Sequence, residues 1–365
     1  MFKSVYFGKK VLITGNTGFK GSWLTTWLLR LGSNVVGVSK DIPTKPSLFE
    51  VLNLADKIKF YSQDIRDLAA VCKIIEEEKP DFIFHLAAQP IVSVSYSNPI
   101  ETISSNVMGT TNILEALRLS DHECIAIIIT SDKAYDNVEQ VWGYKEDDKM
   151  GGKDIYSGSK GAAELIIKSY FHSFLKLKNN IKLAIARAGN VIGGGDWAQD
   201  RIVVDCMVAW SKGKKVTIRS PNATRPWQHV LEPLSGYLTL GESLYLNSNL
   251  NGEGFNFGPK AEQNHTVQQL LIDLSHIWDF KSIEDAFLIT NDIAFHESGL
   301  LKLNCDKALF YLKWKPNWSY NETVKYTGQW YHSFYKTDTN MFTKTLQQID
   351  IYEQMAKESK LKWTE

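Results

Sequence analysis

The first half of the chain alternates short β-branched segments with longer amphipathic ones. Six short runs predict strands: KKVLIT, NVVGVS, IKFYSQDIRD, DFIFHLAA, CIAIIITS and IKLAIARAGNVIG. The longer stretches between them, such as LAAVCKIIEEEKP, repeat their apolar residues at helical spacing. Strands that alternate with helices pair in parallel through right-handed crossovers. The sequence therefore predicts an α/β fold with a doubly wound parallel sheet.

The composition is that of an ordinary globular protein and narrows the choice of partners. Hydrophobic residues make up 44% and charged residues 22%, and 41 basic residues balance 41 acidic ones. A neutral chain without a basic run gives no electrostatic reason to expect nucleic acid or an anionic membrane as partner. We predict a cytoplasmic protein without a metal site, because there is no signal-peptide pattern, no long apolar run and no paired spacing among Cys72, Cys124, Cys206 and Cys305.

A glycine-rich turn joins the first predicted strand to the first predicted helix. In TGNTGFKG, Gly15, Gly18 and Gly21 lie three residues apart, directly after KKVLIT. Small residues let the backbone approach a pyrophosphate, and a helix N-terminus offers unpaired N–H groups and a partial positive charge. With Phe19, these glycines predict a dinucleotide site, so we interpret residues 1–186 as a Rossmann domain.

The pattern becomes less regular after residue 187. At 365 residues, the chain exceeds the size at which one hydrophobic core usually stops growing. We therefore predict a smaller, mixed C-terminal domain over residues 187–365 that holds mainly the substrate. Segments near 227–256 are expected to return to the first domain.

The end of the second strand bears on the choice of dinucleotide. An acidic residue usually accepts the adenosine ribose hydroxyls there, but VVGVSKDIPT places Ser39 at this position. Either Asp41 binds the ribose hydroxyls, which suits NAD, or Ser39 with Lys40 accepts a ribose phosphate, which suits NADP. NAD is the preferred prediction.

The third and fourth strands end at the same edge of the predicted sheet. Asp64, followed by Ile65, suits the exocyclic amine of adenine, with a turn-forming aspartate as the alternative. The fourth strand ends in HLAAQP, whose small residues allow a cofactor, or simply a packed helix, to lie close. We assign Ile65, Leu86 and Ala87 to cofactor contacts.

Two groups of reactive side chains follow. The fifth strand, CIAIIITSDK, ends at Ser131, Asp132 and Lys133. Further on, DIYSGSKGAAELI places Tyr156 and Lys160 four residues apart, on one face of a helix. A neighbouring ammonium, with a positive nicotinamide ring close by, favours the phenolate of a tyrosine, whose ordinary pKa is about 10. Such a pair can take a proton from a hydroxyl while hydride leaves the same carbon.

These motifs together resemble the extended short-chain dehydrogenase/reductase superfamily, and within it the nucleotide-sugar 4,6-dehydratases. The motifs TGNTGFKG, HLAAQ, SNVMGTTNILEA, YSGSK, ARAGNVIGGGD and RPWQHVLE occur in this chain in the family's order, and FNFGP and YLKWKP extend the likeness. TSDK with TGNTGFKGSWL is most similar to the members that act on CDP-glucose. Relatives that use dTDP- or GDP-sugars carry Thr-Asp-Glu where this chain has Ser131, Asp132 and Lys133.

The resemblance implies that CDP-glucose loses water to give CDP-4-dehydro-6-deoxyglucose, a step of deoxysugar and surface-polysaccharide biosynthesis. Tyr156, assisted by Lys160, deprotonates the hydroxyl on carbon 4, and Ser131 holds its oxygen while NAD takes the hydride. A base removes the hydrogen on carbon 5, Asp132 protonates the hydroxyl that leaves carbon 6, and NADH returns the hydride there. Lys133 replaces the family's base; it is a deprotonated base, an enolate stabiliser or a solvated surface charge.

The resemblance also implies substrate contacts and an assembly. Gln89 and Asn190 match sugar- or phosphate-binding positions, and Arg201 and Arg225 match arginines that bind a diphosphate. Surface ion pairs are the alternative for both arginines. Relatives pair through the helices that contain SNVMGTTNILEA and YSGSKGAAELI, which implies a homodimer or a homotetramer.

Other functions remain open. A 4,6-dehydratase of another nucleotide sugar would carry the same motifs, because no residue that reads the nucleobase is identifiable. A nucleotide-sugar epimerase would keep the glycine turn, Tyr156 and Lys160, but would not need an acid and a base at 132 and 133. A catalytically dead dinucleotide-binding regulator would commonly have lost the tyrosine or the lysine, and this chain has both.

Overall fold

The computed structural model describes residues 1–260, 262–290 and 300–365. The strands are β1 Lys10–Thr14, β2 Asn34–Ser39, β3 Lys59–Ser62, β4 Phe82–His85, β5 Cys124–Ile129, β6 Ile181–Ala188, β7 Val191–Ile192, β8 Val216–Ile218, β9 Thr224–Arg225, β10 Gln228–His229, β11 Gly254–Phe257, β12 His265–Thr266 and β13 Phe287–Ile289. The α-helices are α1 Phe19–Arg30, α2 Leu48–Val51, α3 Leu68–Glu78, α4 Val92–Ser97, α5 Pro99–Ile103, α6 Gly109–Leu119, α7 Ile155–Ser173, α8 Ile202–Ser211, α9 Leu231–Leu246, α10 Val267–Ile277, α11 Tyr320–Lys336 and α12 Met341–Glu358.

The central sheet has seven parallel strands in the order β11-β6-β5-β4-β1-β2-β3. The strand order reverses after β3, since β4 returns to the other side of β1. This confirms the predicted doubly wound fold. In such a sheet, ligands bind outside the carboxyl ends of the strands at the reversal.

Hydrophobic cores cover both faces of this sheet, as a parallel sheet requires. Successive residues of a strand point to opposite faces. On β1, Val11 and Ile13 therefore join the core that contains Trp23 and Trp27 of α1. Leu12 joins the second core, on the side of α3, α6 and α7. The runs of apolar residues in the sequence thus correspond to strands buried on both sides.

Segments on the C-terminal side of residue 187 also pack against the central sheet and its helices. Strand β11 pairs with β6 at one edge of the central sheet, and helix α9 contacts β5 and β6. Helix α12, which the sequence-based division placed in the substrate domain, packs on α1, where Trp27 Nε1 donates to Glu353 Oε1 at 2.8 Å. The apolar face of α12 thus packs on α1. The division into two domains stays a prediction.

In the described part of the C-terminal half, the smaller sheets are the two-stranded pairs β7–β10, β9–β12 and β8–β13. In the described part of the chain, no helix is long and apolar enough to cross a membrane. The same residues contain no cluster of histidine, cysteine and acidic side chains suited to a metal ion.

Candidate active site

The glycine turn lies between the ends of β1 and β4. Gly15 has a φ of +74°, and a Cβ on it would meet the backbone N of Ala87 at 2.7 Å. A Cβ on Gly21 would meet the carbonyl oxygen of Gly15 at 2.2 Å. A Cβ on Gly18, in contrast, would meet only the Gly15 oxygen, at 3.4 Å. The turn is therefore tight because of Gly15 and Gly21, and Gly18 leaves its outer side open just before Phe19 begins α1.

This turn has the features of a site for a dinucleotide. The N-terminus of α1 has no acidic residue in its first turn and no side-chain cap, so its N–H groups are available to an anion. The buried side-chain nitrogen of Asn16 has no hydrogen-bond partner among the described residues. At the neighbouring strand end, Ala87 N donates to Thr14 Oγ1 at 3.2 Å, and Leu86 packs partly into the core. The donors and the glycines fit a pyrophosphate.

Ser39 ends β2, as predicted, and its hydroxyl is hydrogen-bonded to the glycine turn. Its buried hydroxyl donates to Asn16 Oδ1 at 2.9 Å and accepts from Thr17 N at 3.3 Å. The Asp41 backbone oxygen accepts from Thr17 Oγ1 at 2.8 Å, while its side chain is exposed. Ser39 therefore holds the glycine turn against β2, a role that strand-by-strand inspection of the sequence does not show.

The ends of β2 and β3 carry a network of charges. The Asp64 carboxylate accepts from the guanidinium of Arg66 at 2.6 Å, and this interaction lowers the pKa of Asp64. Glu101 pairs with Arg66 at 2.5 Å and with Lys40 at 2.9 Å. The next residue, Ile65, is buried in the second core. Asp64 thus lies at the predicted edge of the sheet, and its carboxylate forms an ion pair with Arg66.

Gln89, predicted to contact substrate, uses its side chain in the turn after β4. Its oxygen accepts from Ile91 N at 2.6 Å, and its nitrogen donates to Thr102 Oγ1 at 2.8 Å. Asn106, in a π-helical turn between α5 and α6, accepts from Gln89 N at 2.7 Å and donates to Ser159 Oγ at 2.9 Å. The structure thus gives Gln89 a structural role, in a network that ties β4 to α7.

The predicted catalytic side chains converge at the end of β5. Ser131 and Asp132 are buried there, and the Ser131 hydroxyl donates to Asp132 Oδ1 at 3.0 Å. The same hydroxyl interacts with the phenol of Tyr156, which α7 brings to it together with buried Lys160. Residues that lie 25 positions apart in the sequence thus interact at the end of β5.

Burial dominates the electrostatics of the Tyr156–Lys160 pair. It raises the pKa of Tyr156 to about 12, against the effects of the Ser131 hydrogen bond and of Arg201. It lowers the pKa of Lys160 to about 8, against the attraction of Glu164. Desolvation of the phenolate thus has the largest effect on the pKa of Tyr156. That the Lys160 ammonium, with a positive nicotinamide ring close by, favours the phenolate stays a prediction.

The Asp132 carboxyl is buried. Burial raises its pKa above the ordinary value, although Lys133 and Lys20 act in the opposite direction. Its Oδ2 lies so close to Gly189 that a Cβ there would approach it to 2.9 Å. A small cavity opens beside the carboxyl, and its lining includes Gln228 and Leu301. Lys133, half-buried, follows Asp132 and donates its backbone N–H to Ser131.

Lys20 belongs to this site, although the sequence analysis did not select it. It extends from the first turn of α1 and interacts electrostatically with Arg201, Asp132 and Lys160. Burial, followed by the charge of Arg201, lowers its pKa to about 8. The sequence does contain a signal for this residue. Lys20 lies inside the glycine turn, at the N-terminus of a helix, where a cation is unfavourable.

The predicted substrate residues lie in different places. Arg201 pairs with Asp196 at 2.7 Å and reaches the catalytic groups, since its charge acts on Tyr156. Asn190 is exposed just after β6. Arg225 lies on β9 and donates to the Thr224 oxygen at 2.8 Å. An electrostatic effect on the catalytic groups is thus seen for Arg201.

A buried ion pair supports the cluster from behind. Glu164 follows Lys160 by one helical turn, accepts from Thr130 Oγ1 at 2.6 Å and pairs with Arg187 at 2.5 Å. Arg187 also donates to Tyr135 Oη at 2.5 Å. The pair thus links β5, β6 and α7 directly beneath the catalytic groups, which gives Arg187 a structural role.

Comparisons with known proteins identify relatives of this chain. A family model described as GDP-mannose 4,6 dehydratase matches residues 12–327. A CDP-glucose 4,6-dehydratase of Salmonella typhimurium is 45% identical over 337 residues, which cover 91% of this chain and 93% of the relative. A CDP-paratose 2-epimerase of Salmonella typhi is 27% identical, with 76% of this chain and 84% of the relative covered.

Solved structures share the fold. A UDP-glucose 4-epimerase from Thermotoga maritima superimposes with a TM-score of 0.77 at 24% identity, covering 89% of this chain and 99% of that one. A dTDP-glucose 4,6-dehydratase from Bacillus anthracis, solved in complex with NAD, gives 0.73 at 19% identity, covering 89% and 97%. With the family model and the 45% identical relative, the chain belongs to the nucleotide-sugar 4,6-dehydratases of the extended short-chain dehydrogenase/reductase superfamily.

Proposed function

We propose that this protein is a CDP-glucose 4,6-dehydratase, a hydro-lyase that forms CDP-4-dehydro-6-deoxyglucose and water for deoxysugar biosynthesis. The observation that carries the proposal is the group of buried side chains at the end of β5, Tyr156, Ser131 and Asp132, where burial raises the pKa of the Asp132 carboxyl. Loss of water needs a proton donor for the departing hydroxyl, whereas an epimerase does not. The 45% identical relative with this activity supports CDP-glucose as the substrate.

NAD is the cofactor we propose, held by the turn at Gly15, Gly18 and Phe19 and by the N-terminus of α1. When bound, NAD accepts a hydride from the sugar and later returns it. The charges at the ends of β2 and β3 favour NAD over NADP: Lys40 and Arg66 are already paired with Asp64 and Glu101. An added ribose phosphate would have to compete with those carboxylates, and the Ser39 hydroxyl is used within the turn.

Tyr156 is the proposed base at carbon 4. Its phenol takes the hydroxyl proton of the sugar, and Ser131 holds the same oxygen by a hydrogen bond. The interaction with Ser131 and the charge of Arg201 both lower the Tyr156 pKa, and so offset part of the effect of burial. Lys160, buried one turn along α7, adds a donor to the same face of the helix.

Asp132 is the proposed acid at carbon 6. Because burial raises its pKa, it keeps its proton to a higher pH than an exposed aspartate would, and it loses this capacity as the pH rises through that raised value. Lys133 lies beside it and is proposed to act at carbon 5, either on the proton or on the enolate. The Arg201 guanidinium is proposed to bind the diphosphate, with Asn190 and Arg225 further out.

A panel of CDP-, dTDP-, UDP- and GDP-glucose with product masses tests this function. We expect CDP-glucose to give a product that is lighter by one water and carries a 4-keto group, without net reduction of NAD. A product of unchanged mass with an inverted hydroxyl would show an epimerase instead. Loss of water from a glucose nucleotide with another nucleobase would support the proposed reaction but show a different substrate.

We also propose that the protein forms a homodimer, or a tetramer built from such dimers, in the cytoplasm. The four cysteines are free thiols, which suits a reducing compartment. On α4 to α7, large apolar side chains are exposed: Ile100 by 76% and Leu165 by 56%. Helix α5 packs on α7, so these residues lie on adjacent helices. An apolar surface of this kind on a folded chain indicates a partner.

We expect the double substitution Ile100→Glu and Leu165→Glu to yield monomers, because two charges would then be buried at the interface. Sedimentation velocity measures the assembly. Phe310→Glu is the matched control, since Phe310 is exposed by 67% away from these helices. If the double variant sediments like the wild type and Phe310→Glu does not, the interface lies elsewhere.

A further inference from the structure

Gln228 has a buried amide oxygen without a partner. The side chain is 2% exposed and belongs to β10, which pairs with β7. Its Nε2 donates to the carbonyl oxygen of Phe257 at 3.4 Å. A carbonyl oxygen can only accept, so this bond orients the amide. The other end, Oε1, has no hydrogen-bond partner within residues 1–260, 262–290 and 300–365. A buried amide oxygen that lacks a partner costs free energy and therefore needs an explanation.

The side chain of Gln228 lines a small cavity, which it shares with the proposed acid. The lining also includes Asp132, Gly189 and Gly258. The centre of a water molecule can move within about 10 Å³ of this cavity, which is room for one group of that size. Because the cavity is so small, a single hydroxyl or water inside it lies close to both the carboxyl and the amide.

Asp132 borders this cavity with one of its two oxygens. Oδ1 accepts from the Ser131 hydroxyl at 3.0 Å. Oδ2 lies next to Gly189, where a Cβ would approach it to 2.9 Å. Gly189 itself lines the cavity, and its lack of a side chain leaves the space beside Oδ2 open. The carboxyl is thus held by Ser131 on one side and has the cavity on the other.

We propose that this cavity receives the oxygen that leaves carbon 6, and that Gln228 Oε1 accepts a hydrogen bond from it. The inference rests on the proposed function. In the elimination, a base takes the proton on carbon 5, and the electron pair of that C–H bond forms the double bond between carbons 5 and 6. The C–O bond at carbon 6 breaks with its electrons on oxygen, and the proton of Asp132 makes that oxygen a water molecule.

An acceptor beside the acid assists this step in two ways. It holds the hydrogen of the hydroxyl, so that a lone pair of the same oxygen turns towards the proton of Asp132. As the oxygen takes that proton, its own hydrogen becomes more acidic, and the hydrogen bond to Gln228 becomes stronger. An interaction that is stronger in the transition state than in the ground state raises the rate of the step. Gln228 therefore acts on the loss of water and not on the oxidation at carbon 4.

Single-turnover kinetics of the full-length protein with NAD and CDP-glucose separates these two steps. Absorbance of the reduced cofactor reports the oxidation at carbon 4, and the product mass reports the loss of water. Gln228→Leu keeps nearly the volume of the side chain and removes the acceptor. We expect it to slow the loss of water by about tenfold, the effect of one hydrogen bond, and to leave the rate of cofactor reduction close to the wild-type value.

Gln348→Leu is the matched control. Gln348 is also buried, its Nε2 donates to the carbonyl oxygen of Tyr326 at 2.8 Å, and its Oε1 likewise lacks a partner in the described structure. It lies on α12, which packs on α1 and α11. The substitution removes the same kind of amide from a different part of the interior, so both rates should stay unchanged. Thermal unfolding shows that each variant is folded.

A crystal structure of Tyr156→Phe with NAD and CDP-glucose tests the contact directly, and it does not depend on the folding of Gln228→Leu. The substitution prevents turnover of the bound sugar. We expect the oxygen on carbon 6 to lie between Asp132 Oδ2 and Gln228 Oε1, within about 3 Å of each. An oxygen on carbon 6 that points away from the cavity overturns the inference.

The kinetic outcomes separate this inference from the proposed function. If Gln228→Leu changes neither rate, or slows both equally, the amide has only a structural role and the inference is wrong. A slower loss of water in Gln348→Leu also overturns it, because any buried amide would then have the effect. If the wild-type protein neither reduces NAD nor releases water from CDP-glucose, the proposed function fails and the inference fails with it. A wild type that does both, with Gln228→Leu unchanged, overturns the inference alone.

Discussion

An Asp132→Asn variant is expected to oxidise CDP-glucose at carbon 4 and then to stop. The amide has nearly the shape of the carboxyl and can still accept from Ser131, but it cannot protonate the hydroxyl that leaves carbon 6. Loss of a positioned acid lowers a rate by about 10²–10⁴-fold. We expect product formation to fall by this factor while the absorbance of the reduced cofactor accumulates in a single turnover.

Tyr156→Phe is the contrasting variant in the same experiment. It removes the base at carbon 4, so neither product nor reduced cofactor should appear at an appreciable rate. Tyr170→Phe, on the same helix and away from the cluster, should resemble the wild type. Asp132→Asn with normal turnover would refute the proposed acid. Normal turnover by Tyr156→Phe would refute the proposed base and, with it, the whole assignment of the site.

Glu164→Ala is expected to destabilise the protein by about 3–5 kcal/mol. Glu164 and Arg187 are almost completely buried, with side-chain exposures of 0% and 1%. Removal of the carboxylate leaves the Arg187 guanidinium without its counter-charge in the interior, and also removes the acceptor for Thr130. Urea denaturation measures the change in the free energy of unfolding.

Glu115→Ala is the matched control for this prediction. Glu115 pairs with Arg118 at 2.7 Å, but both side chains reach solvent. Surface pairs of this kind contribute about 0–1 kcal/mol, so its loss should be small. The double variant Glu164→Met with Arg187→Met should recover part of the stability, because no buried charge then lacks a partner. Equal effects of Glu164→Ala and Glu115→Ala would contradict the structural role of the buried pair.

The strands, the helices and the position of the glycine turn could be predicted from the sequence. Each is encoded locally: β1 and β2 are short apolar runs, α7 repeats its apolar residues at helical spacing, and Gly15 and Gly21 lie at a turn that no larger residue fits. Alternation then restricts the strands to parallel pairing. The carboxyl edge of the sheet, and with it Asp132 and Tyr156, follows from that topology.

Only the tertiary structure decided how these groups behave. The pKa of Tyr156 rises because distant segments exclude water from it, which no spacing in the sequence records. The side chains of Ser39 and Gln89 form hydrogen bonds that fix loops, and their partners come from other segments of the chain. Lys20 interacts electrostatically with Arg201, which lies 181 positions away in the sequence, and α12 packs on α1. Local sequence patterns determine which helices and strands form. The burial and the electrostatics of the site depend on which of these helices and strands pack together.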